Sequence, residues 1–366
     1  MKIYFDYNST SILDDSVAEL MCNLLKSGEP YNPSSIHSHG RKARSLMENA
    51  RNQIADALHF DAYKGDLQII FTSSGTEANN LVLNSFSNNQ VFVGSTEHVS
   101  ILEISNENKI IIPVNSTGII DPVVLQKLLK QNPGKKFVSI MLANNETGVI
   151  QDIKALSLIA HQEGAIFHCD ASQAFCKIDI DFKSLGCDLM TISSHKSGGP
   201  LGAAALIGKK NFQIKPQIKG GKQEQGLRSG TENIIAIVGF GLAAAGWKDK
   251  IEKFKQIEFL RNKMEEQLEG EIIAKSVNRL PNTSCIRMQG VKNEEQLIKF
   301  DLAGISVSAG SACSSGRIAG SHVLKAMEMS DSDASEVIRV SLGLKTTEKE
   351  VNKFIELWKE ISNERR

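Results

Sequence analysis

Ser193, Ser194, His195 and Lys196 stand in a row at the end of a short apolar, β-branched run, and Gly198, Gly199 and Pro200 then break regular structure. Lys196 therefore falls at a strand end. There it is either a solvated loop charge or an amine able to form a Schiff base near an anion. Ser74-Gly75-Thr76 also follows an apolar run. If it opens a helix, its first-turn N–H groups and the helix dipole make an anion site fit for phosphate; an ordinary N-cap has the same composition. Asp170 ends another apolar run and suits an N-cap too. Close to a lysine and a phosphate site, however, a carboxylate keeps a pyridine nitrogen protonated, the condition under which pyridoxal phosphate acts as an electron sink. His98 is either a structural histidine or a flat imidazole that stacks on such a ring and moves protons. His195 is a support for the lysine or a packing residue.

These residues need a scaffold that brings strand ends together. Apolar runs near 67–71, 91–94, 110–114, 137–142, 166–169 and 189–192 alternate with helical patterns at 74–87, 121–130 and 153–163, after helices at 14–26 and 40–58. Such βα alternation predicts an α/β fold, a mainly parallel sheet flanked by helices. Ligands in such sheets collect where strands end and helices begin. The turns at 72–76, 97–98, 144–145, 170–173 and 193–196 should therefore share one crevice. Beyond a strand at 203–208, a Gly-rich loop leads to a helix extending to about residue 268. The pattern then changes to strands near 284–288, 305–308 and 337–341, with a last helix opened by Thr347 and Glu350 as a capping box. This reads as a smaller α/β domain. We expect a large domain over 12–250 and a small one from 1–11 with 251–366.

Composition excludes several classes. The 366 residues carry 42 basic and 42 acidic side chains, a net charge of zero, so there is no electrostatic footprint for direct nucleic-acid binding or an anionic membrane. The longest apolar window, 234–247, is too short to span a bilayer, and residues 1–8 lack a signal-peptide pattern, so a cytoplasmic protein is expected. Six cysteines show no zinc spacing, and no metal site is expected. Five of them read as small buried hydrophobes. Cys313 is different, lying in Ser-Ala-Gly-Ser-Ala-Cys-Ser-Ser-Gly-Arg, a composition that favours a mobile loop.

The motifs then accumulate in a recognisable order. They are Phe5-Asp6-Tyr7-Asn8-Ser9-Thr10, Asn32-Pro33-Ser34-Ser35-Ile36-His37, Ser74-Gly75-Thr76-Glu77-Ala78-Asn79-Asn80, Glu97-His98, Asn144-Asn145-Glu146-Thr147-Gly148 and His168-Cys169-Asp170-Ala171-Ser172-Gln173. Ser193-Ser194-His195-Lys196, Arg228-Ser229-Gly230-Thr231, Ser308-Ala309-Gly310-Ser311-Ala312-Cys313 and Arg339-Val340-Ser341 complete the set. With these, the chain resembles, nearly end to end, a cysteine desulfurase of the class-V aminotransferase superfamily, in the iron-sulfur assembly type with a long mobile cysteine loop.

The resemblance implies a fold type I transferase dependent on pyridoxal 5'-phosphate, with Lys196 as Schiff-base lysine and base, His98 over the ring and Asp170 at the pyridine nitrogen. It implies Gln173 at the ring oxygen, and Gly75, Thr76, Ser193 and His195 at the phosphate, with Thr231 supplied by the second subunit of a homodimer. Asn145 and Arg339 would bind the substrate carboxylate, and Cys313 would take sulfur from L-cysteine, releasing alanine. The persulfide would pass to an iron-sulfur scaffold or to thiolation enzymes. Rival readings are selenocysteine lysis, transamination, or a catalytically silent assembly partner; a thiol at Cys313 has no place in transamination.

Overall fold

The computed structural model describes residues 2–62, 65–104, 109–310 and 320–364. A short β1 (Ile3–Tyr4) is followed by β2 (Leu67–Thr72), β3 (Gln90–Gly94), β4 (Lys109–Ile112), β5 (Lys136–Met141), β6 (Ala165–Asp170), β7 (Leu189–Ser193) and β8 (Ala204–Lys209). Strands β2 to β8 form a seven-stranded sheet in the order β2-β8-β7-β6-β5-β3-β4. Pairing among β3 to β7 is parallel, and β8 runs antiparallel to both β7 and β2. The link from β7 to β8 is shorter than the roughly twelve residues a parallel crossover needs, so the chain must turn straight back.

Strands β5 to β7 are buried at every position but the half-buried Ile166, as a sheet covered on both faces requires. Alternation sends Val138, Ile140, Phe167, Cys169, Met190 and Ile192 into one apolar cluster. Phe137 and Leu189 point the other way and pack with Leu81 and Val82 of the helix Gly75–Ser85.

The remaining strands are β9 (Glu271–Ile272), β10 (Thr283–Arg287), β11 (Ile305–Ser306) and β12 (Val337–Ser341). They give an antiparallel sheet β12-β10-β9, while β1 pairs in parallel with β11. The helix Glu348–Asn363 begins at the Thr347–Glu350 capping box and buries Val351, Phe354, Ile355, Trp358 and Ile361. These join Ile3, Phe5, Phe254 and Met264 in a core of their own, which ties the first residues to the last third of the chain.

Two expectations differ from the structure. The long helix after the Gly-rich loop is two helices, Ile234–Ala245 and Trp247–Gln267, parted at Gly246. The first is apolar nearly all round and buried, the second largely charged, so one continuous axis could not serve both environments. Cys22, expected inside, is exposed, whereas Cys169, Cys176, Cys187 and Cys285 are buried. The helix Asp15–Lys26 fully buries Val17, and Cys22 lies about 140° around the axis from it.

Candidate active site

The turns after β2, β3, β5, β6 and β7 open onto one cavity of about 210 Å³. Gly75, Thr76, His98, Asn145, Asp170, Gln173, Ser193, His195, Lys196 and Arg339 all line it. Thr231 is exposed and is not among its walls. Cys313 lies outside the described residues. The described chain on either side approaches the same rim: Ser308 pairs with Arg339 through two backbone hydrogen bonds, and Ser321 donates to Glu146 Oε2 at 2.6 Å.

Ser74 caps the helix Gly75–Ser85 by accepting from the Glu77 amide at 3.2 Å. A Cβ on Gly75 would stand 3.3 Å from Ser172 Oγ and 3.6 Å from Ser193 Cβ, so the helix start is pressed against the ends of β6 and β7. Among the described residues, Ser193 Oγ is buried there without a hydrogen-bond partner. An orphaned buried hydroxyl beside the first-turn amides of Gly75 and Thr76 calls for an anion.

Asp170 is held on both oxygens. Asn79 donates to Oδ2 at 2.8 Å and the Ser172 amide to Oδ1 at 2.9 Å. The Lys196 ammonium donates to the backbone carbonyls of Asn8 and Ser9 at 2.5 and 2.8 Å. Burial, together with Lys196 and Lys177, pushes the neighbouring His195 down to about 4. His98 is also lowered by burial, Asp170 opposing and Lys196 and His322 adding to the shift. Its Nδ1 accepts from the Ser100 amide at 3.1 Å, which leaves the proton of the neutral ring on Nε2.

Arg339 donates to the Asn145 carbonyl at 3.0 Å and to Asp6 Oδ1 at 2.6 Å, and its buried Nε has no partner among the described residues. A guanidinium so fixed can meet a carboxylate in the cavity. Beneath the site Glu97 is fully buried, and burial, with Asp170 adding, holds its carboxyl well above the usual carboxylate range. It accepts from the Met141 amide at 2.7 Å.

Three supporting residues had motif membership or less as their sequence signal. Asn8 and Asn79 stand inside quoted motifs with no role attached. Lys177, four residues beyond Gln173, was not singled out; its signal would have been a lysine amid Ala174, Phe175, Cys176 and Ile178. Among the described residues, no group of three or more His, Cys, Asp or Glu side chains is arranged for a metal, and no helix is long and apolar enough to cross a membrane.

The orphaned Ser193 hydroxyl and helix start, the doubly held carboxylate and the lysine fit pyridoxal phosphate. Comparison with known proteins agrees. The aminotransferase class-V model matches residues 3–354. The chain is 37% identical over 379 residues to cysteine desulfurase IscS of Dictyoglomus turgidum, with 98% of this chain and 94% of the relative covered. It is 36% identical to cysteine desulfurase IscS 1 of Archaeoglobus fulgidus, at 97% and 95% coverage. A solved NifS-like protein from Rickettsia africae superposes with a TM-score of 0.94 at 42% identity, over 99% of this chain and 100% of that one.

Fold and site therefore define a pyridoxal-phosphate-dependent enzyme of the class-V aminotransferase family, to which the chain belongs. Its place within that family is among the cysteine desulfurases.

Proposed function

We propose that this enzyme converts L-cysteine to L-alanine, with the cofactor on Lys196 and the sulfur carried as a persulfide on Cys313. The observation that carries the reading is the meeting of Lys196, Asp170, His98 and the Ser193–Gly75 anion site in one cavity. Bound there, pyridoxal phosphate supplies an electron sink for the pair released at the substrate α-carbon.

The protein's share is binding, orientation and proton handling. Gly75, Thr76, Ser193 and His195 receive the phosphate; the depressed His195 stays neutral and offers a hydrogen bond without a charge. Asp170 receives the pyridine N–H and Gln173 the ring oxygen. Arg339 and Asn145 take the substrate carboxylate, Arg339 through the N–H groups that Asp6 and Asn145 leave unused. Lys196 Nζ accepts the α-proton and returns it. His98, with its proton on Nε2, donates across the cavity. This supports a role in holding a proton near the substrate.

Cys313 acts as a thiolate on the substrate sulfur: the S–S bond forms, the substrate C–S bond breaks, and its electron pair stays on the substrate carbon, which is then protonated. In our reading 12–250 is the cofactor domain, and 1–11 with 251–366 is the domain that carries Cys313. The cluster joining Ile3 and Phe5 to Phe254, Phe300 and Trp358 supports this division, while Leu280, Cys285, Val323 and Leu324 pack into the main core. The enzyme is a homodimer in which Thr231 of a second subunit completes the phosphate site, in keeping with its exposure here. Sulfur passes to an iron-sulfur scaffold or to thiolation enzymes in the cytoplasm, where free thiols such as the four buried cysteines persist.

Borohydride reduction of the loaded protein, followed by peptide mass analysis, tests the anchor. A pyridoxyl group on Lys196 is expected. A colourless protein with no such adduct overturns the reading and favours a silent assembly partner.

A further inference from the structure

Lys177 follows β6 in a tight turn and is 2% exposed. A lysine buried to this degree is costly unless its amine is satisfied. Here it donates to Asn8 Oδ1 at 2.9 Å and to Gln173 Oε1 at 3.0 Å. Both acceptors are amides, so no carboxylate balances it through these bonds. Burial, with Lys196 and Arg339 adding, holds its pKa well below that of an ordinary lysine.

Gln173 has one oxygen and two N–H groups. The oxygen receives Lys177, and Nε2 donates to the Asn8 backbone carbonyl at 2.9 Å. One N–H is left for the cavity that Gln173 lines. An amide can be placed either way round, and an amine against one end decides which end faces the site. Asn8 is fixed by the same amine. Its Oδ1 also receives Asn282, its Nδ2 donates to Thr283 Oγ1 at 2.8 Å, and its carbonyl holds Lys196.

We propose that Lys177 is a positioning residue of the cofactor site: it turns an N–H of Gln173 toward the ring oxygen and steadies Asn8, whose carbonyl holds Lys196. The inference rests on the proposed function. It extends that reading to a residue outside the cavity wall.

The test is a double-mutant cycle on the dissociation constant of pyridoxal phosphate at one pH, with Lys177→Met, Gln173→Ala and the double variant. Met has similar bulk and removes a buried polar group, so the fold is expected to persist, and denaturation midpoints check it. Each single variant should weaken binding about tenfold, the scale of one hydrogen bond. The double should be no weaker than the worse single within about twofold, because one contact is lost once. The visible band of the lysine-bound cofactor should move the same way in both singles. Affinity of Lys177→Met within twofold of wild type, or single losses that multiply to about a hundredfold in the double, overturns the inference. Should Met unfold the chain, the cycle is run with Lys177→Gln under the same requirement of non-additivity. Absence of cofactor binding by wild type would instead sink the proposed function, so the two failures are distinguishable.

Discussion

The side-chain amide of Asn79 donates to Asp170 Oδ2 at 2.8 Å, joining the helix Gly75–Ser85 to the end of β6. In the proposed function the same helix offers its N-terminus to the phosphate, so one rigid element serves both the phosphate and the orientation of the carboxylate. Replacing Asp170 by Asn removes a charge-assisted hydrogen bond worth about 1.5–3 kcal/mol, and kcat should fall about 10- to 150-fold. Asn79→Ala removes a bond in support and should cost about 3- to 10-fold. Steady-state alanine production measures both; an Asn79→Ala loss larger than that of Asp170→Asn would contradict this ordering.

Gly75→Ala tests the anion site without breaking the helix. Alanine is the better helix former, but its Cβ would press on Ser172 Oγ at 3.3 Å and crowd the phosphate approach. Cofactor affinity should drop about tenfold or more, with the denaturation midpoint nearly unchanged. Unaltered affinity, read by equilibrium dialysis, would place the phosphate elsewhere.

A pH dependence follows from His168, which bridges Ser139 and Thr191 at 2.9 and 3.0 Å in the centre of the sheet. Burial pushes it down to about 4, with Asp170 opposing. The unfolded chain takes this proton near 6.5 and the folded chain only near 4. The stability is therefore complete above about 6.5 and is lost as pH falls toward 4, by roughly 3 kcal/mol in all. In urea titrations between pH 7 and 4.5, His168→Gln should show a shallower acid slope than wild type. Parallel slopes would exclude a buried neutral His168.

Much of this site was legible because its signals are local. Ser74, Asp170 and Lys196 each mark the place where an apolar run stops, and parallel alternation alone says such stops meet on one edge. Lys177 was not legible, because its burial comes from Asn8, far away in sequence, folding over it. The reversal of β8 depended on a link length, and the break at Gly246 on a change of environment that apolar counting does not separate. Cys22 was misplaced because an apolar neighbourhood does not say which helix face a residue occupies.

The turn before Thr231 gives a stability prediction. Arg51 Nη2 meets Glu224 Oε1 at 2.5 Å with the Glu224 side chain 2% exposed, and Glu224 Oε2 accepts the Phe71 amide at 2.8 Å. This pair holds Glu224 and Gln225 at φ of 45° and 59°, in the left-handed region. Arg51→Met strands a buried carboxylate and should cost about 3–5 kcal/mol, part of it recovered by adding Glu224→Gln. Denaturant unfolding measures both; a single-variant loss under about 0.5 kcal/mol would mean that the pair is balanced by solvent.

The proposed function has sulfur leave cysteine for Cys313 while Lys196 anchors the cofactor. Its most direct measurement is intact-protein and peptide mass analysis after one turnover with L-cysteine and no reductant, with alanine counted in the same sample. One added sulfur on the Cys313 peptide per alanine formed is expected. In Cys313→Ala the visible cofactor band should be unchanged, with no added sulfur and no alanine. Alanine formed by Cys313→Ala at the wild-type rate, or sulfur found on another cysteine, would contradict it.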